Sequence, residues 1–389
     1  MKKMLIAAAA VAPLVSFAGL YGDIPDAKHA WSVHDENRPL PNRVTFDAKG
    51  VPSDAIVLFD GTQVSLDANW CDKKGEPTKW EIKNGALTSR NAYSFKDITL
   101  GSIYTRREFG DCQLHIEFMH PADTKANIAG NSQMRGNSGV FLMGQKYGYE
   151  VQVLESYYTC KEAEGTPEFV PNYADGISGA VYAENPPLVN ALHRPGEWQT
   201  YDIVFHQPEW NGATLVHPGS MTVLLNGVLV QDAWEMEGET THCNRRPLAP
   251  HPTTGPLMLQ DHGCEVSYRN IWIRPLASRW ANKTHSLMSA DEGAVMAERR
   301  ATAARLFAKI ADPSSGDAAT VQALAEVISY AFEGEYTGAR LGEYKTCFDK
   351  ALAAYRASNP TDEQEIGKVN AAIGILIRGG ILKDDSLVK

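Results

Sequence analysis

From Ala55 to Leu276 the chain is a succession of short alternating segments closed by Gly, Pro or Asn, with no convincing helical stripe among them. That pattern leaves few architectures open. Alternation of period two sends neighbouring side chains to opposite faces of a strand. IYTRREFGDCQLHIEFMHP therefore predicts Leu114, Ile116 and Phe118 on one face and Gln113, His115 and Glu117 on the other. AIVLFDGT reads as a strand ending at an Asp-Gly turn, and WEIKNGALTS as two strand fragments about an Asn-Gly turn. GAVY, EWQTYDIVFH, MTVLLNGVLV, GPLMLQDHG and EVSYRNIWIRPL continue the series. Strands that follow one another without crossover helices predict an all-β fold, an antiparallel two-sheet sandwich rather than βαβ units. Its polar faces, Gln113/His115/Glu117, Glu150/Gln152 and Gln260/His262, call for a curved sheet with one wet concave side.

The flanks read differently. MKKMLIAAAAVAPLVSFAG has two lysines, an apolar run, and Ser16 and Ala18 at the −3 and −1 positions of a signal-peptide cleavage site. Cleavage after Ala18 is expected, and with it an exported, periplasmic or secreted protein with no membrane span in its mature form. Residues 19–53, rich in Pro, Asp and Asn, read as an extended arm. After Leu276 the period becomes helical, with apolar stripes Val295/Ala303/Leu306/Phe307/Ile310, Val321/Leu324/Ile328/Phe332, Tyr344/Phe348/Leu352/Tyr355 and Ile366/Val369/Ile373/Leu376. Thr361 and Gln364 have capping-box spacing. The expected partition is a signal peptide over 1–18, an arm over 19–53, a strand-rich domain over 54–277 and a small helical domain over 278–389. The helical domain is expected to pack or to dock a protein partner, without chemistry of its own.

A formal charge of −10 argues against a nucleic-acid partner, because neutralising phosphates needs a basic footprint. An uncharged or weakly charged small ligand fits better. Six cysteines without a CxxC pair exclude a zinc ribbon, and in an exported chain they predict one or two disulfides.

RGNSGVFLMGQKYGYEVQVLESY, Arg135 to Tyr157, is the expected working face. A strand from Tyr149 to Leu154 sends Glu150 and Gln152 to one side and Tyr149, Val151 and Val153 to the other. A carboxylate beside an amide suits sugar binding or acid–base work. His262, in LQDHG, has to come from a distant strand end to meet them. His115 and Glu117, on another strand's polar face, rank behind as substrate-binding candidates. His242 and Cys243, in THCNRRPLAPH, lack paired metal-ligand spacing and read as loop composition.

In their order, LFDGT, GNSGVFL, YEVQVLE, GAVY, GEWQTYDI, LNGVLV, GPLMLQDHG and YRNIWIRPL resemble the 3-keto-disaccharide hydrolase family over about Ala55 to Leu276. The resemblance implies a concanavalin-like jelly roll and cleavage of glycosides oxidised at C3 of a sugar. Two features depart from it, the longer opening LFDGTQVSLDANW and the helical tail. A C3 ketone acidifies the C2 proton and lets the C1 oxygen leave by elimination, with water adding back. That chemistry asks for a base, an acid and enolate stabilisation. Glu150 is the expected base and His262 the expected acid or polarising group. Asn137, Gln152 and Gln260 would hold hydroxyls, since amides both donate and accept. A divalent metal is a second way to stabilise the enolate, with Glu150 and His262 among its ligands.

Two rival readings stand beside this one. Glu150 to Glu155 has the spacing of the catalytic strand of laminarinase-like retaining glycosidases, with Gln152 where an Asp would be. Residues five apart on a regular strand have opposite parity and lie on the order of 16 Å apart, whereas a retaining pair needs about 5 to 5.5 Å. A bulge would be required to join them. The other rival is a non-catalytic carbohydrate-binding module using Trp198, Trp210, Trp234 or Trp272, of which Trp198 and Trp272 read as strand residues of the core.

Overall fold

The computed structural model describes residues 31, 33–38, 40–89, 100–123, 132–278, 292–333, 336–337 and 341–389. The expected signal peptide over 1–18 lies outside them. The chain divides into one unit of residues 43–279 and another of residues 1–42 with 280–389. Among the described residues no helix is long and apolar enough to cross a membrane.

In the unit of residues 43–279, two antiparallel sheets enclose the core. The larger has eight strands: β1 (Ile56–Phe59), β3 (Glu81–Lys83), β4 (Ala86–Thr88), β6 (Cys112–Met119), β9 (Gln199–His206), β12 (Ser220–Leu225), β13 (Val228–Glu235) and β15 (Ser267–Pro275). Their order is β13-β12-β9-β6-β15-β4-β3, with β1 also paired to β15. The five strands of the other sheet are β2 (Trp70–Cys71), β5 (Ile103–Phe109), β7 (Ser138–Leu142), β8 (Tyr149–Val153) and β14 (Gly255–Leu259), in the order β2-β5-β14-β7-β8. A separate hairpin pairs β10 (Glu209–Asn211) with β11 (Thr214–His217).

Period two explains what each sheet buries. Leu114, Ile116 and Phe118 of β6, Tyr201, Ile203 and Phe205 of β9, and Tyr149, Val151 and Val153 of β8 all enter one core. Asn84-Gly85 and Asn226-Gly227 both have positive φ, at 51° and 76° and at 53° and 77°. That is the geometry a two-residue hairpin needs to match strand twist, and it closes β3–β4 and β12–β13.

Several expectations change. QVSLDAN, inside the strand-rich region, is a short helix α1 (Gln63–Asn69), capped by Thr62, whose hydroxyl accepts from the Ser65 amide at 3.1 Å. This helix accounts for the longer LFDGTQVSLDANW opening. GAVY forms isolated bridges rather than a strand: Val181 bridges to Val151 along the edge of β8 and to Asn185. All six cysteines are free. Cys71, Cys112 and Cys264 are buried at separate places in the sandwich, and Cys347 belongs to the other unit. Trp272 is buried as expected. Trp198 precedes β9, half-buried under the Arg269 guanidinium at 3.9 Å from its ring centroid.

In the second unit, helices α2 (Glu292–Phe307), α3 (Ala318–Ala331), α4 (Leu341–Ala357) and α5 (Glu363–Arg378) share a core. Their stripes meet there through Ala303, Val321, Leu324, Ile328, Tyr344, Phe348, Leu352, Tyr355, Val369, Ile373 and Leu376. The side chains of Val295 and Phe332 lie outside the described residues. Asp362, not Thr361, caps α5: its carboxylate accepts from the amides of Gln364 and Glu365 at 2.9 and 3.2 Å. An aspartate here also meets the positive end of the helix dipole.

Candidate active site

The outer face of the five-stranded sheet, turned away from the core, carries a cavity of about 480 Å³. Glu150 and Gln152 reach it from β8, Asn137 from the turn before β7, and Gln260 and His262 from the segment after β14. Five of the residues singled out in the sequence are thus brought together across more than a hundred positions of chain. His115 and Glu117 are not. They lie on β6, in the other sheet, on the face opposite its apolar side, and they line no part of this cavity. There His115 Nδ1 sits 2.7 Å from Asp202 Oδ1. Burial works against its charge, but Asp202 and Glu117 raise its pKa to about 9. The alternation placed these two residues on a polar face correctly; it could not say which sheet owned that face.

The geometry around Glu150 begins with a glycine. On β7, Phe141 pairs with Glu150 and Gly139 with Gln152. A Cβ on Gly139 would fall 2.2 Å from Glu150 Oε1. Only glycine leaves room for the carboxyl to lie over β7, which is why GNSGVF reads as it does. The Glu150 amide donates to Thr240 Oγ1 at 3.0 Å. Its carboxyl takes no hydrogen bond from any described residue. Glu150 is only 4% exposed, and burial pushes its carboxyl well above the ordinary carboxylate range. Burial holds His262 below the ordinary imidazole value, so its ring is neutral near pH 7.

The amides are arranged to receive donors. Gln152 Nε2 donates to the Gly176 carbonyl at 3.2 Å, while its Oε1 is buried without a partner. Gln260 Oε1 is buried and unpartnered as well. A buried acceptor left unpaired costs about 1–3 kcal/mol, recovered when a ligand donates to it. Asn137 Nδ2 donates to the backbone carbonyl and to Oε1 of Gln133, at 3.0 and 3.1 Å.

Hydroxyls from the opposite sheet hold the floor. Tyr201 on β9 donates to the Gln152 carbonyl at 2.7 Å. Tyr268 on β15 donates to Ser138 Oγ at 2.7 Å, which donates to the Gln260 carbonyl at 2.6 Å. Both segments that carry the polar face are therefore pinned through the core. Sequence reasoning missed these tyrosines because YDIVFH and VSYRNI present them as ordinary apolar-face residues. It also missed Gln133, Phe141, Gln145, Tyr182, Thr240 and His242, which complete the lining. His242, read as loop composition, enters the cavity with Nδ1 3.0 Å from the Tyr182 hydroxyl.

Glu155 is absent from the cavity. It is buried in an ion pair with Arg135, and the strand runs from Tyr149 to Val153 without the bulge that would turn Glu155 toward Glu150. As metal donors the site offers one carboxyl, two imidazoles, those of His262 and His242, and amide oxygens. Among the described residues no group of three or more His, Cys, Asp or Glu gathers that could hold an ion, short of the three protein ligands of a catalytic zinc.

One cavity of the jelly roll thus gathers a carboxyl, two imidazoles and orphaned amide acceptors, and the family match makes the domain carbohydrate-active. Residues 54–274 match the model of the 3-keto-alpha-glucoside-1,2-lyase-like domain, and the chain belongs to that family. Among solved structures, a candidate glycosyl hydrolase from Parabacteroides distasonis is 38% identical, over 61% of this chain and 93% of that one, with a TM-score of 0.51. A second candidate glycosyl hydrolase from the same organism is 21% identical over 58% and 94%, with a TM-score of 0.40. Carbohydrate-binding module CBM66 from Bacillus subtilis is 11% identical over 53% and 94%, with a TM-score of 0.29. A comparison with curated proteins finds no match.

Proposed function

We propose that the protein cleaves the glycosidic bond of 3-keto-glycosides by elimination followed by hydration. The observation that carries this reading is Glu150: a buried carboxyl with no hydrogen-bond partner among the described residues, beside a neutral His262 and two amide oxygens unpaired among them. A base works best when its pKa approaches the working pH, and burial moves Glu150 in that direction. Glu150 takes the C2 proton, and the C2–H electron pair becomes the enolate of the C3 ketone. That pair then forms the C1–C2 double bond as the C1–O bond breaks, and the leaving oxygen takes up the proton that Glu150 removed from C2. Water adding across the double bond returns the free 3-keto sugar. A neutral imidazole cannot deliver a full positive charge, so His262 acts as the polarising N–H donor to developing oxyanion charge. Gln152 and Gln260 accept from sugar hydroxyls. Export of the mature enzyme belongs to the same proposal.

The retaining-glycosidase alternative loses its second carboxylate to Arg135. For the binding-module alternative, none of Trp198, Trp210, Trp234 and Trp272 lines the cavity, whose aromatic rings are Tyr182 and Phe141.

The deciding experiment incubates the protein with a 3-keto-glucoside and with its unoxidised parent, with and without chelator. Aglycone released from the keto form alone supports the proposal. Cleavage of the parent glycoside sinks it, and loss of turnover on chelation replaces neutral donors with a cation at the enolate. The pH profile is a second check: kcat/KM rises with pH as Glu150 ionises, with a midpoint above the ordinary carboxylate range. A midpoint near 4.5 would remove Glu150 as the base. Gly139→Ala is expected to push the carboxyl aside and lower kcat/KM by about 10²-fold, with an unchanged far-UV spectrum. Full activity in that variant would show that the placement of Glu150 over β7 does not matter.

A further inference from the structure

A second cavity, of about 600 Å³, opens on the same sheet face, and Gln145 lines both. The register connects them. Glu150 pairs with Phe141, Phe141 with Met258, Met258 with Tyr104, and Tyr104 with Cys71. Direct cross-strand partners share a face, so these five residues form one row across the sheet. Three strand spacings put Tyr104 about 14 Å from Glu150, which leaves space for a second ring-sized group beyond the first.

The two cavities differ in chemistry. Around Glu150 the walls are amides suited to hydroxyls. Among the described residues the one amide side chain lining the second cavity is the shared Gln145, whose Oε1 accepts from the Tyr104 hydroxyl at 3.3 Å. Its walls are Tyr104, Tyr147, Met143, Pro252 and Pro256, and its rim carries Lys73, Arg106 and Lys146. Arg106 donates to the backbone carbonyls of Asp67 and Gly75 at 3.1 and 3.0 Å. Lys146 lies over the Tyr147 ring at 4.7 Å. Among the described residues none of the three cations is within ion-pair distance of a carboxylate. Two carboxylates share the rim and hold neutral donors. Asp72 accepts from the amides of Lys74 and Glu76 at 2.8 and 2.9 Å, and Glu108 from the Thr254 hydroxyl at 2.9 Å. A chain of net charge −10 thus sets three cations against two carboxylates at the mouth of this cavity, an excess of positive charge, with Glu239 also acting on Lys146 from nearby.

We propose that this second cavity is a leaving-group subsite for an aromatic acid: the aryl ring lies against Tyr104 and Tyr147, with its carboxylate among Lys73, Arg106 and Lys146. The bond cleaved rests on the keto-glycoside reading; recognition of the aromatic acid does not.

The test compares kcat/KM for 4-carboxyphenyl and 4-carbamoylphenyl 3-keto-glucosides, a charged and a neutral leaving group of one shape. It uses the full-length protein and a Lys73→Ala/Lys146→Ala double variant. Both lysines are exposed and outside the Glu150 cavity, so folding is not at stake. The wild type is expected to prefer the acid by roughly three- to tenfold at low salt. That preference should shrink as salt screens the rim and fall in the double variant to the smaller part that Arg106 still supplies. Equal rates in the wild type, or a preference undiminished by the double substitution, overturn the subsite. If neither glycoside turns over, the keto-glycoside reading fails by itself, and titration with free 4-hydroxybenzoate then decides the subsite. Binding by the wild type that the double variant loses supports the subsite, and absence of binding overturns it.

Discussion

Glu150→Gln is expected to lower kcat on a 3-keto-glycoside by about 10²–10⁴-fold, the usual contribution of a positioned base, without weakening the fold. The amide keeps the shape of the side chain over Gly139 and removes only the group that can ionise. The stability side of the prediction follows from linkage. Burial raises the folded-state pKa of Glu150 above its unfolded value. Its contribution to stability is therefore complete below the unfolded pKa and is lost as pH rises through the folded pKa, where charge must be held without a partner. The substituted amide carries no such charge, so the variant should match the wild type in Tm near pH 4 and exceed it increasingly toward pH 8. Thermal denaturation at both pH values, alongside kcat, checks the two halves together. A variant that keeps full turnover removes Glu150 from the chemistry. One that melts lower at pH 8 would show that the carboxylate has a structural partner.

How much of this was readable from the sequence follows from what period two can and cannot encode. Alternation identified Leu114, Ile116 and Phe118, and Tyr149, Val151 and Val153, as core-facing, because burial of one face is a local property of a strand. The Asn-Gly pair at 84–85 fixed a hairpin for the same reason. Glu150, Gln152, Gln260, His262 and Asn137 converge because β14 lies between β5 and β7. The family resemblance implied a jelly roll but not this strand order, which is not inscribed in any one segment. His115 and Glu117 show the limit: their strand has a polar face like that of β8, but β6 belongs to the other sheet. The helix Gln63–Asn69 escaped notice because seven residues with one buried side chain, Leu66, leave no stripe to read. Thr240 and His242 escaped because a loop's approach to a cavity has no period at all.

Glu155→Ala is expected to destabilise the strand-rich unit by about 3–5 kcal/mol, since it leaves the Arg135 charge buried without its counter-ion. The two side chains, Arg135 and Glu155, are only 4% and 1% exposed. The pair also closes a backbone link, with the Glu155 amide donating to the Arg135 carbonyl at 2.7 Å, and Glu155 Oε1 accepts from the Tyr157 amide at 3.1 Å. These contacts tie the turn that precedes β7 to the end of β8, the two strands that carry Gly139 and Glu150. In a unit of this size the expected fall in Tm is about 6–20 °C. Replacing both partners by apolar residues, Arg135→Met with Glu155→Leu, removes the uncompensated charge and is expected to recover most of the loss. Below its melting range the single variant should retain kcat within about tenfold of the wild type, a loss of no more than about 1.4 kcal/mol in the barrier, because Glu155 does not line the cavity. The retaining-glycosidase alternative demands the opposite: an unchanged Tm, and turnover lost as completely as in Glu150→Gln. Melting curves and kcat on the two variants therefore separate a carboxylate that holds the site in place from one that performs its chemistry.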